Sequence, residues 1–229
     1  MTILACPGAA TSKTITFSGY QWTVRSGGYG SPGVGYWSDS NVFVDNYGYL
    51  HMKMTYSGGK WYSCEITSTK MFGMGTYQFF VIGRVDQLDK NVVLGIFTYP
   101  NANQGVNGTH EIDIEFSRWG WPKANMLNYT VWPVAKSLGP SGRSYPLALN
   151  GTYTTHRFIR SSKFIRFQSG HGHYDNTPMP IADWTYQPSD YLNRISQIAV
   201  PMHINLWSIA PPSNGQPVEL IIRSFKYTP

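Results

Sequence analysis

Three carboxylate side chains alternate with two isoleucines in the segment Glu111-Ile112-Asp113-Ile114-Glu115. If this segment is a β-strand, Glu111, Asp113 and Glu115 share one face, and the two isoleucines share the other. The isoleucines suit a hydrophobic core, whereas three neighbouring carboxylates repel one another. The chain has only twelve acidic residues, so this concentration on one face indicates a catalytic site.

A solvated strand edge and a calcium site are the alternatives. Calcium prefers clustered carboxylates that surround the ion. Ligands on one flat strand do not do so, and we therefore expect catalysis and no metal.

The spacing of the carboxylates suits glycoside hydrolysis. A retaining glycosidase needs two carboxyl groups roughly 5–5.5 Å apart, one to attack the anomeric carbon and one to transfer protons. The long side chains of Glu111 and Glu115 can lean toward each other on a twisted strand. Asp113, between them, can hold a proton or a hydrogen bond against Glu111. An inverting mechanism, with a gap of about 6.5–9.5 Å, stays open at this point.

The composition predicts an all-β domain. Charged residues make up 13% of the 229 residues and aromatic residues 15%, with 23 Gly and 15 Pro, a mixture that favours short strands joined by tight turns. We expect one domain, residues 1–229, built as a sandwich or jelly roll, with at most a turn or two of helix at 190–198. The predicted strands are Tyr49–Tyr56, Thr76–Gly83, Val92–Tyr99, His110–Phe116, Met126–Val131, Arg157–Gln168, Ile198–Trp207 and Val218–Tyr227.

The charge pattern argues against a nucleic-acid partner. The net charge is +6, but the 18 basic residues are scattered, and the densest group, in 157–166, alternates faces on a strand and forms no basic arm. An anionic glycan stays open as a partner. No apolar run approaches a membrane span, and nothing in the sequence suggests an oligomer, so we expect a monomer.

The cysteines allow two interpretations. Cys6 and Cys64 form one bridge that fixes the N-terminal segment, or they are two buried thiols. We expect a secreted or periplasmic protein, because the short small-residue stretch after Met1 is typical of the start of a mature chain.

The segment His110–Phe116 resembles the signature of glycoside hydrolase family 16. It has the unbulged form, with one residue between Asp113 and Glu115, which is similar to bacterial lichenases, plant xyloglucan endotransglycosylases and fungal cell-wall transglycosylases. Further segments resemble strands of the family in order along the chain: Gly75-Thr76-Tyr77, Phe97-Thr98-Tyr99, Asn128-Tyr129, Thr155–Phe158 with Phe164–Phe167, Met202–Trp207 and Phe225-Lys226-Tyr227.

The resemblance implies a fold and a set of site residues. It implies a β-jelly roll of two antiparallel sheets with a concave substrate cleft, and a polysaccharide as substrate. It also implies Glu111 as nucleophile, Asp113 as its helper and Glu115 as general acid/base. By matched position, the residues implied to line the sugar subsites are Asn41, Glu65, Asn128, Asn205 and Trp207.

Each implied subsite residue also has a structural interpretation. Asn41 would cap a turn, Glu65 would form a surface ion pair, and Trp207 would belong to the core. Trp119, with Trp121 and Trp132, lies in or near the connections that flank the catalytic strand, where a tryptophan can stack on a sugar ring.

The sequence also departs from the lichenase pattern. Thr109 and His110 stand where lichenases have a Trp and an acid, and Ser224 stands near the position of a calcium-binding Asp. We therefore expect no calcium and no cofactor. The pair His171 and His173 lacks a third ligand, so we expect a solvated loop there.

Four functions remain to be weighed. The first is an endo-acting, retaining hydrolase of a β-1,3-1,4-glucan or related β-glucan, and the second a transglycosylase on the same scaffold. The third is a glycan-binding module, which the three carboxylates argue against. The fourth is a hydrolase of a galactose-based or anionic polysaccharide, favoured by the positive charge and opposed by the unbulged motif.

Overall fold

Short strands joined by tight turns make up the computed structural model, which describes residues 13–176 and 180–229. Its one described α-helix, α1, is the single turn Tyr191–Arg194, inside the stretch where the sequence predicts a turn or two. Cys6 lies outside the described residues, so both interpretations of the two cysteines stay open. The strands are β1 (Thr14–Phe17), β2 (Tyr20–Val24), β3 (Tyr36–Trp37), β4 (Val42–Val44), β5 (Leu50–Ser57), β6 (Lys60–Phe72), β7 (Gly75–Ile82), β8 (Val92–Thr98), β9 (Ile112–Phe116), β10 (Leu127–Val131), β11 (Ser141–Tyr145), β12 (Tyr153–Arg160), β13 (Ile165–His171), β14 (Pro180–Tyr186), β15 (Val200–Ser208) and β16 (Val218–Thr228).

The strands form two layers of a jelly roll. The first layer has the order β11-β10-β9-β8-β15-β6, and β2 extends it beside β6. The second has the order β5-β16-β7-β12-β13-β14, with β4 beside β5. Neighbouring strands are antiparallel except for the short parallel pair β3 and β6. The all-β jelly roll of two antiparallel layers predicted from the sequence is confirmed.

A tight hairpin between β5 and β6 joins the two layers. Its central residues, Gly58 and Gly59, have φ of +55° and +77°. Two consecutive positive φ angles define the type I′ turn, whose twist matches that of the flanking strands. The Ser57-Gly58-Gly59 turn signal in the sequence therefore marks the point where the chain passes from one layer to the other.

Most predicted strands are correct, one predicted run needs correction, and several strands were not predicted. Seven of the eight predicted runs correspond to one strand each, with ends that differ by two residues or fewer. The run Arg157–Gln168 is instead a hairpin of β12 and β13, because the chain reverses at 161–164. The longest strand, β6, was not predicted, because Ser68 occupies an inward position where the apolar alternation of Cys64 and Ile66 should continue. The other strands that were not predicted are β1, β2, β3, β4, β11 and β14.

The core lies between the layers, and it leaves the other face of the first layer free. Alternate residues of β9, β10 and β15, such as Ile114, Tyr129 and Ile204, are fully buried in one hydrophobic cluster. Their sequence neighbours therefore point to the opposite face. This alternation is what exposes the carboxylates of the first layer to a cleft.

A buried polar network crosses the core and links the two layers. The hydroxyl of Tyr129 on β10 donates to Ser169 Oγ on β13 over 2.7 Å, and His156 Nδ1 lies 2.6 Å from the same oxygen. Burial lowers the pKa of His156 to about 3, so its ring is neutral. The serine hydroxyl can then donate to Nδ1 while Nε2 donates to Thr154 Oγ1 over 2.8 Å.

The variant Ser169→Ala tests this network. It leaves the Tyr129 hydroxyl and His156 Nδ1 buried without their partner, and we expect the free energy of unfolding to fall by roughly 1–3 kcal/mol. Urea denaturation of the wild type and the variant measures the change. Ser57→Ala, at an exposed site on β5, is the control, and equal stability of the two variants would contradict the proposed role of the network.

Candidate active site

The three carboxylates of the motif lie together on the free face of the first layer. β9 lies between β8 and β10, and its residues Asp113 and Glu115 point away from the core. Glu111 directly precedes β9. Its main-chain oxygen accepts a hydrogen bond from the Trp132 amide over 2.9 Å, so the pairing with the β10 side continues past the end of the strand and holds Glu111 in line.

Sheet register aligns a row of polar side chains across the cleft floor. Glu65 pairs with Asn205, and Asn205 pairs with Gly95. Gly95 pairs with Glu115, which pairs in turn with Asn128. Directly opposed residues on neighbouring strands point to the same face. Residues from five strands, distant in sequence, therefore meet in one line through Glu115.

Gly95 makes room within this row. A Cβ atom there would lie 2.5 Å from Asn205 Oδ1, closer than a real contact allows. Asn205 donates from Nδ2 to Glu65 Oε2 over 3.2 Å, whereas its buried Oδ1 has no hydrogen-bond partner among the described residues. An unpaired buried acceptor costs free energy, and it offers a place for a donor such as a sugar hydroxyl.

Asp113 is the most buried of the three carboxyl groups. Trp132 donates from Nε1 to Asp113 Oδ2 over 2.9 Å, and Asp113 also hydrogen-bonds Glu111. Burial raises the pKa of Asp113 well above its ordinary value, and the charges of Glu111 and Glu115 raise it further. These effects favour the protonated form of Asp113, which can donate a hydrogen bond to Glu111.

The two glutamates titrate near neutral pH. Burial raises the pKa of Glu111 to about 7, although the hydrogen bond from Asp113 opposes the rise. Burial and the charge of Glu111 raise the pKa of Glu115 to about 8. The hydrogen bond from Asp113 favours the ionised form of Glu111, whereas the charge of Glu111 favours the protonated form of Glu115. A nucleophile and an acid require such a division.

A cavity of about 430 Å³ opens on one side of the carboxylates. Its wall includes the aromatic rings of Phe97, Tyr99 and Trp207, together with Arg25 and His203. The ring of His203 stacks on Phe97 with centroids 5.1 Å apart. A sugar ring has flat apolar faces and polar hydroxyl groups. Aromatic rings beside polar side chains therefore suit it as a binding surface.

Glu65 is the charged anchor of this first cavity. Its carboxylate lies 3.7 Å from Arg25 Nη1 and 3.9 Å from His203 Nδ1. Burial alone would raise the pKa of Glu65, but His203, the hydrogen bond from Asn205 and the charge of Arg25 lower it below its ordinary value. Glu65 is therefore an ionised acceptor at neutral pH.

A second cavity of about 360 Å³ lies on the other side of the carboxylates. Glu111, Asp113 and Glu115 form part of its wall, and Trp119, Trp132, Asn128 and Arg143 complete the polar and aromatic part. The two cavities share Glu111 and Glu115. A chain bound across the carboxylates would therefore extend into both.

The structure places most of the predicted substrate-binding residues in the cleft. Glu65, Asn205 and Trp207 line the first cavity, and Asn128 and Trp119 line the second. Asn128 donates to Ser117 O over 2.9 Å and accepts from Ser144 Oγ over 2.7 Å. Trp207 also packs on Trp37 and Val93. It therefore both lines the cavity and packs against buried hydrophobic residues.

Asn41 departs from the prediction. It is buried in a 3₁₀ turn and lines neither cavity. Its Nδ2 donates to Tyr62 O over 2.9 Å, and its Oδ1 accepts from Thr55 Oγ1 over 3.1 Å. With both ends of the amide occupied, Asn41 fixes the turn before β4 and is not placed to bind a sugar. Trp121 likewise lies outside both cavity walls and is 73% exposed.

Several cleft residues were not found from the sequence. Phe97 and Tyr99 lie two and four residues after Gly95 on β8 and just beyond it, and His203 lies two residues before Asn205 on β15. The two-residue period that groups the carboxylates on β9 applies equally to these strands. Applied there, it would have predicted these three side chains.

His110, which precedes Glu111, is turned away from the cleft. Its φ is +58°, a left-handed conformation uncommon outside glycine. Its Nδ1 lies 2.9 Å from Ser196 Oγ, and burial followed by the charge of Arg160 lowers its pKa. His110 therefore shapes the backbone at the start of the catalytic strand instead of contacting a substrate.

Within residues 13–176 and 180–229, no three His, Cys, Asp or Glu side chains are arranged to hold a metal ion. Over the same ranges, no helix is long and apolar enough to be a candidate for a membrane crossing.

The raised pKa values predict how stability depends on pH. A carboxyl group with a higher pKa in the folded than in the unfolded state binds more protons when folded, so ionising it lowers stability as pH rises from about 4.5 toward 8. We expect Glu115→Gln to raise the free energy of unfolding by roughly 1–3 kcal/mol at pH 8, and to leave it nearly unchanged at pH 4.

Denaturant unfolding at the two pH values measures this difference. Glu219→Gln is the control, because Glu219 is a surface carboxylate paired with His51 and Lys53 and should give no gain at pH 8. An equal effect of Glu115→Gln at both pH values would show that the carboxyl group is ordinary.

Comparison with known proteins identifies the fold. No protein-family model and no curated protein sequence matches the chain. Among solved structures, the Bacillus licheniformis β-glucanase is 20% identical with a TM-score of 0.65, covering 96% of this chain and 99% of that one. A Mycobacterium marinum β-1,3-glucanase is 20% identical with a TM-score of 0.65, covering 96% and 92%. A glycoside hydrolase family 16 endo-glucanase from Bacteroides ovatus is 14% identical with a TM-score of 0.67, covering 90% and 94%. The chain thus has the jelly-roll fold of the family 16 glucanases, as its motif predicts.

Proposed function

We propose that the chain is a retaining endo-β-glucanase of glycoside hydrolase family 16 that hydrolyses internal linkages of a β-1,3-1,4-glucan or a related β-glucan. The observation that carries the proposal is the row of Glu111, Asp113 and Glu115 on the cleft floor, with both glutamates titrating at about 7 and 8 and both facing two cavities. These are the groups that glycoside hydrolysis needs.

In the first step, ionised Glu111 attacks the anomeric carbon while the bond from that carbon to the leaving oxygen breaks. Protonated Glu115 gives its proton to the leaving oxygen. The negative charge on Glu111 disappears as the ester forms, so it does not repel the newly ionised Glu115.

In the second step, water attacks the glycosyl-enzyme ester. Glu115, now ionised, takes a proton from the water, and the bond to Glu111 breaks so that its carboxylate returns. The hydrogen bond from Asp113 stabilises that carboxylate as it leaves. Each glutamate thus ends the cycle in the protonation state in which it began.

The cleft supports an endo-acting enzyme and a neutral substrate. Because cavities lie on both sides of the carboxylates, a polymer can extend in both directions from the bond that is cut. An anionic polymer would meet four carboxyl groups in the cleft, counting Glu65, while Arg25 is engaged by Glu65. The solved structures of the same fold carry names of glucan-degrading enzymes, which favours a β-glucan over a galactose-based polymer.

The site also bears on assembly and location. The row of carboxylates and the two cavities are built from one chain, which supports a monomer as the active form. A polysaccharide too large to enter a cell must be cut outside the cytoplasm, so we propose that the protein is secreted or periplasmic. Neither conclusion alters the chemistry.

Substitution of the two glutamates tests the mechanism. We expect Glu111→Ala and Glu115→Ala each to lower kcat on mixed-linkage glucan by several orders of magnitude, because each removes an essential covalent or proton-transfer group. Azide should restore cleavage by Glu111→Ala, because azide takes the place of the missing nucleophile. The expected product is a glycosyl azide of inverted anomeric configuration. Product sizes by mass spectrometry and anomeric configuration by NMR are the measurements.

The substrate panel also includes lichenan, laminarin, xyloglucan, agarose and carrageenan, and Glu219→Ala is the control for a distant carboxylate. Normal activity in either active-site variant would exclude the mechanism. Azide rescue of Glu115→Ala with inversion, without rescue of Glu111→Ala, would reverse the two roles. A folded wild type that cuts none of the polymers would remove the glucanase proposal.

Transglycosylation on the same scaffold is a second candidate. Trp119 and Trp132 line the second cavity, and aromatic rings there would hold a sugar acceptor in competition with water. If transfer operates, adding short glucan oligosaccharides should give products longer than any hydrolysis fragment, and Trp119→Ala should reduce these transfer products more than it reduces hydrolysis. If the products only become shorter at every acceptor concentration, the transglycosylase candidate is excluded and hydrolysis is the sole reaction.

A further inference from the structure

Trp132 joins the catalytic strand through two contacts. Its amide donates to Glu111 O over 2.9 Å, and its indole Nε1 donates to Asp113 Oδ2 over 2.9 Å. Its ring also lines the second cavity beside the carboxylates. One residue thus touches the main chain of the proposed nucleophile and the side chain of its helper.

The indole distinguishes the two oxygens of Asp113. An N–H donor needs an oxygen that is free to accept, and a protonated carboxyl group has one hydroxyl oxygen and one carbonyl oxygen. Because Oδ2 accepts from Trp132, the proton of Asp113 belongs on Oδ1. Asp113 also hydrogen-bonds Glu111, and a proton on Oδ1 is available for that hydrogen bond.

We propose that Trp132 is a positioning residue, which fixes the orientation of the protonated Asp113 side chain so that its proton is always presented to Glu111. This inference rests on the proposed function, in which Glu111 is the nucleophile. Trp132 acts through Asp113 and does not itself take part in bond making or breaking.

The surroundings hold the indole in place. Gly108 lies beside it, at a position where a Cβ atom would make an ordinary van der Waals contact of 3.4 Å with the ring. The loop that carries Gly108 is joined to the wall of the first cavity, because the Tyr99 hydroxyl donates to Asn107 Oδ1 over 2.7 Å. The indole therefore lies between this loop and the carboxylate strand, with its N–H directed at Asp113.

Other ionisable groups also face Glu111 and Asp113. Glu115 lies on the same strand, Tyr99 follows β8, and Glu65 and His203 come from β6 and β15 across the first cavity. Arg25 follows β2 and also lines the first cavity, and Arg143 on β11 lines the second cavity. Removing the indole N–H leaves all six in place, so a change in the titration of Glu111 would report the loss of orientation at Asp113.

The first experiment compares pH profiles of kcat/KM on the substrate that the wild type cuts. In Trp132→Phe we expect kcat to fall by about tenfold, with a smaller change in KM. The hydrogen bond from Asp113 favours ionised Glu111, so weakening it raises the pKa of Glu111. The acidic limb should therefore move to higher pH by roughly half to one unit, while the alkaline limb stays in place.

Two further variants sharpen the comparison. Trp132→His keeps a ring with an N–H donor and should restore part of the acidic limb. Trp119→Phe, which changes another indole in the same cavity wall, should change KM but leave the acidic limb in place. An unmoved limb in Trp132→Phe, or equal shifts in the Phe and His variants, would overturn the inference.

The second experiment needs no substrate. The chain has four glutamates, at 65, 111, 115 and 219, so side-chain carboxyl ¹³C labelling of Glu gives four resonances to titrate by NMR. We expect the pKa of Glu111 to be higher in Trp132→Phe than in the wild type. Equal pKa values of Glu111 in the two proteins would overturn the role of Trp132.

The wild type alone provides a third readout. The chemical shift of the Trp132 indole N–H should change with pH over the range in which Glu111 titrates, because Asp113 links the two groups. A chemical shift that does not depend on pH would overturn the inference. If the wild type proves inactive on every polysaccharide, the proposed function fails, whereas these two NMR titrations still decide whether Trp132 orients Asp113.

Discussion

Three carboxyl groups on one face of one strand cannot all be ionised in a partly buried cleft, and the site is organised around that constraint. Each charge raises the energy of the next, and burial adds to the cost. The protonated form is favoured most at Asp113, the most buried of the three, and the pKa values of the glutamates on either side rise to about 7 and 8. Mutual repulsion, which lowers stability, thus gives neighbouring carboxyl groups different tendencies to ionise, as the proposed mechanism requires.

Sheet register is the means by which the fold surrounds these groups. A one-residue slip of β9 would turn the carboxylates into the core and the isoleucines into the cleft, so the burial of Ile112, Ile114 and Phe116 fixes the orientation of the row. The same register places Asn205 opposite Gly95 and Gly95 opposite Glu115. Hydrophobic burial on one face therefore determines the polar arrangement on the other.

The two-residue period made the fold and the centre of the site predictable, because Glu111, Asp113 and Glu115 are close in sequence and share a face by local geometry alone. The contacts of Trp132 and the pairing of Glu65 with Arg25 depend on strands far apart in sequence, and a single sequence carries no pairing register. Asn41 shows the opposite case. It was matched by position to a sugar subsite, yet its side-chain amide hydrogen-bonds Tyr62 and Thr55 instead.

The placement of positive charge explains how glutamates in one cleft differ. Glu65 and Glu115 line the same cavity, yet the pKa of Glu65 lies below its ordinary value and that of Glu115 rises to about 8. Arg25 lies 3.7 Å from Glu65, and Asn205 donates to it, so Glu65 stays an ionised acceptor. A cation placed equally close to Glu115 would stabilise its ionised form and remove the proton that the proposed mechanism requires. The two glutamates therefore differ within one cavity because Arg25 lies against Glu65 on β6, whereas carboxyl groups neighbour Glu115 on β9.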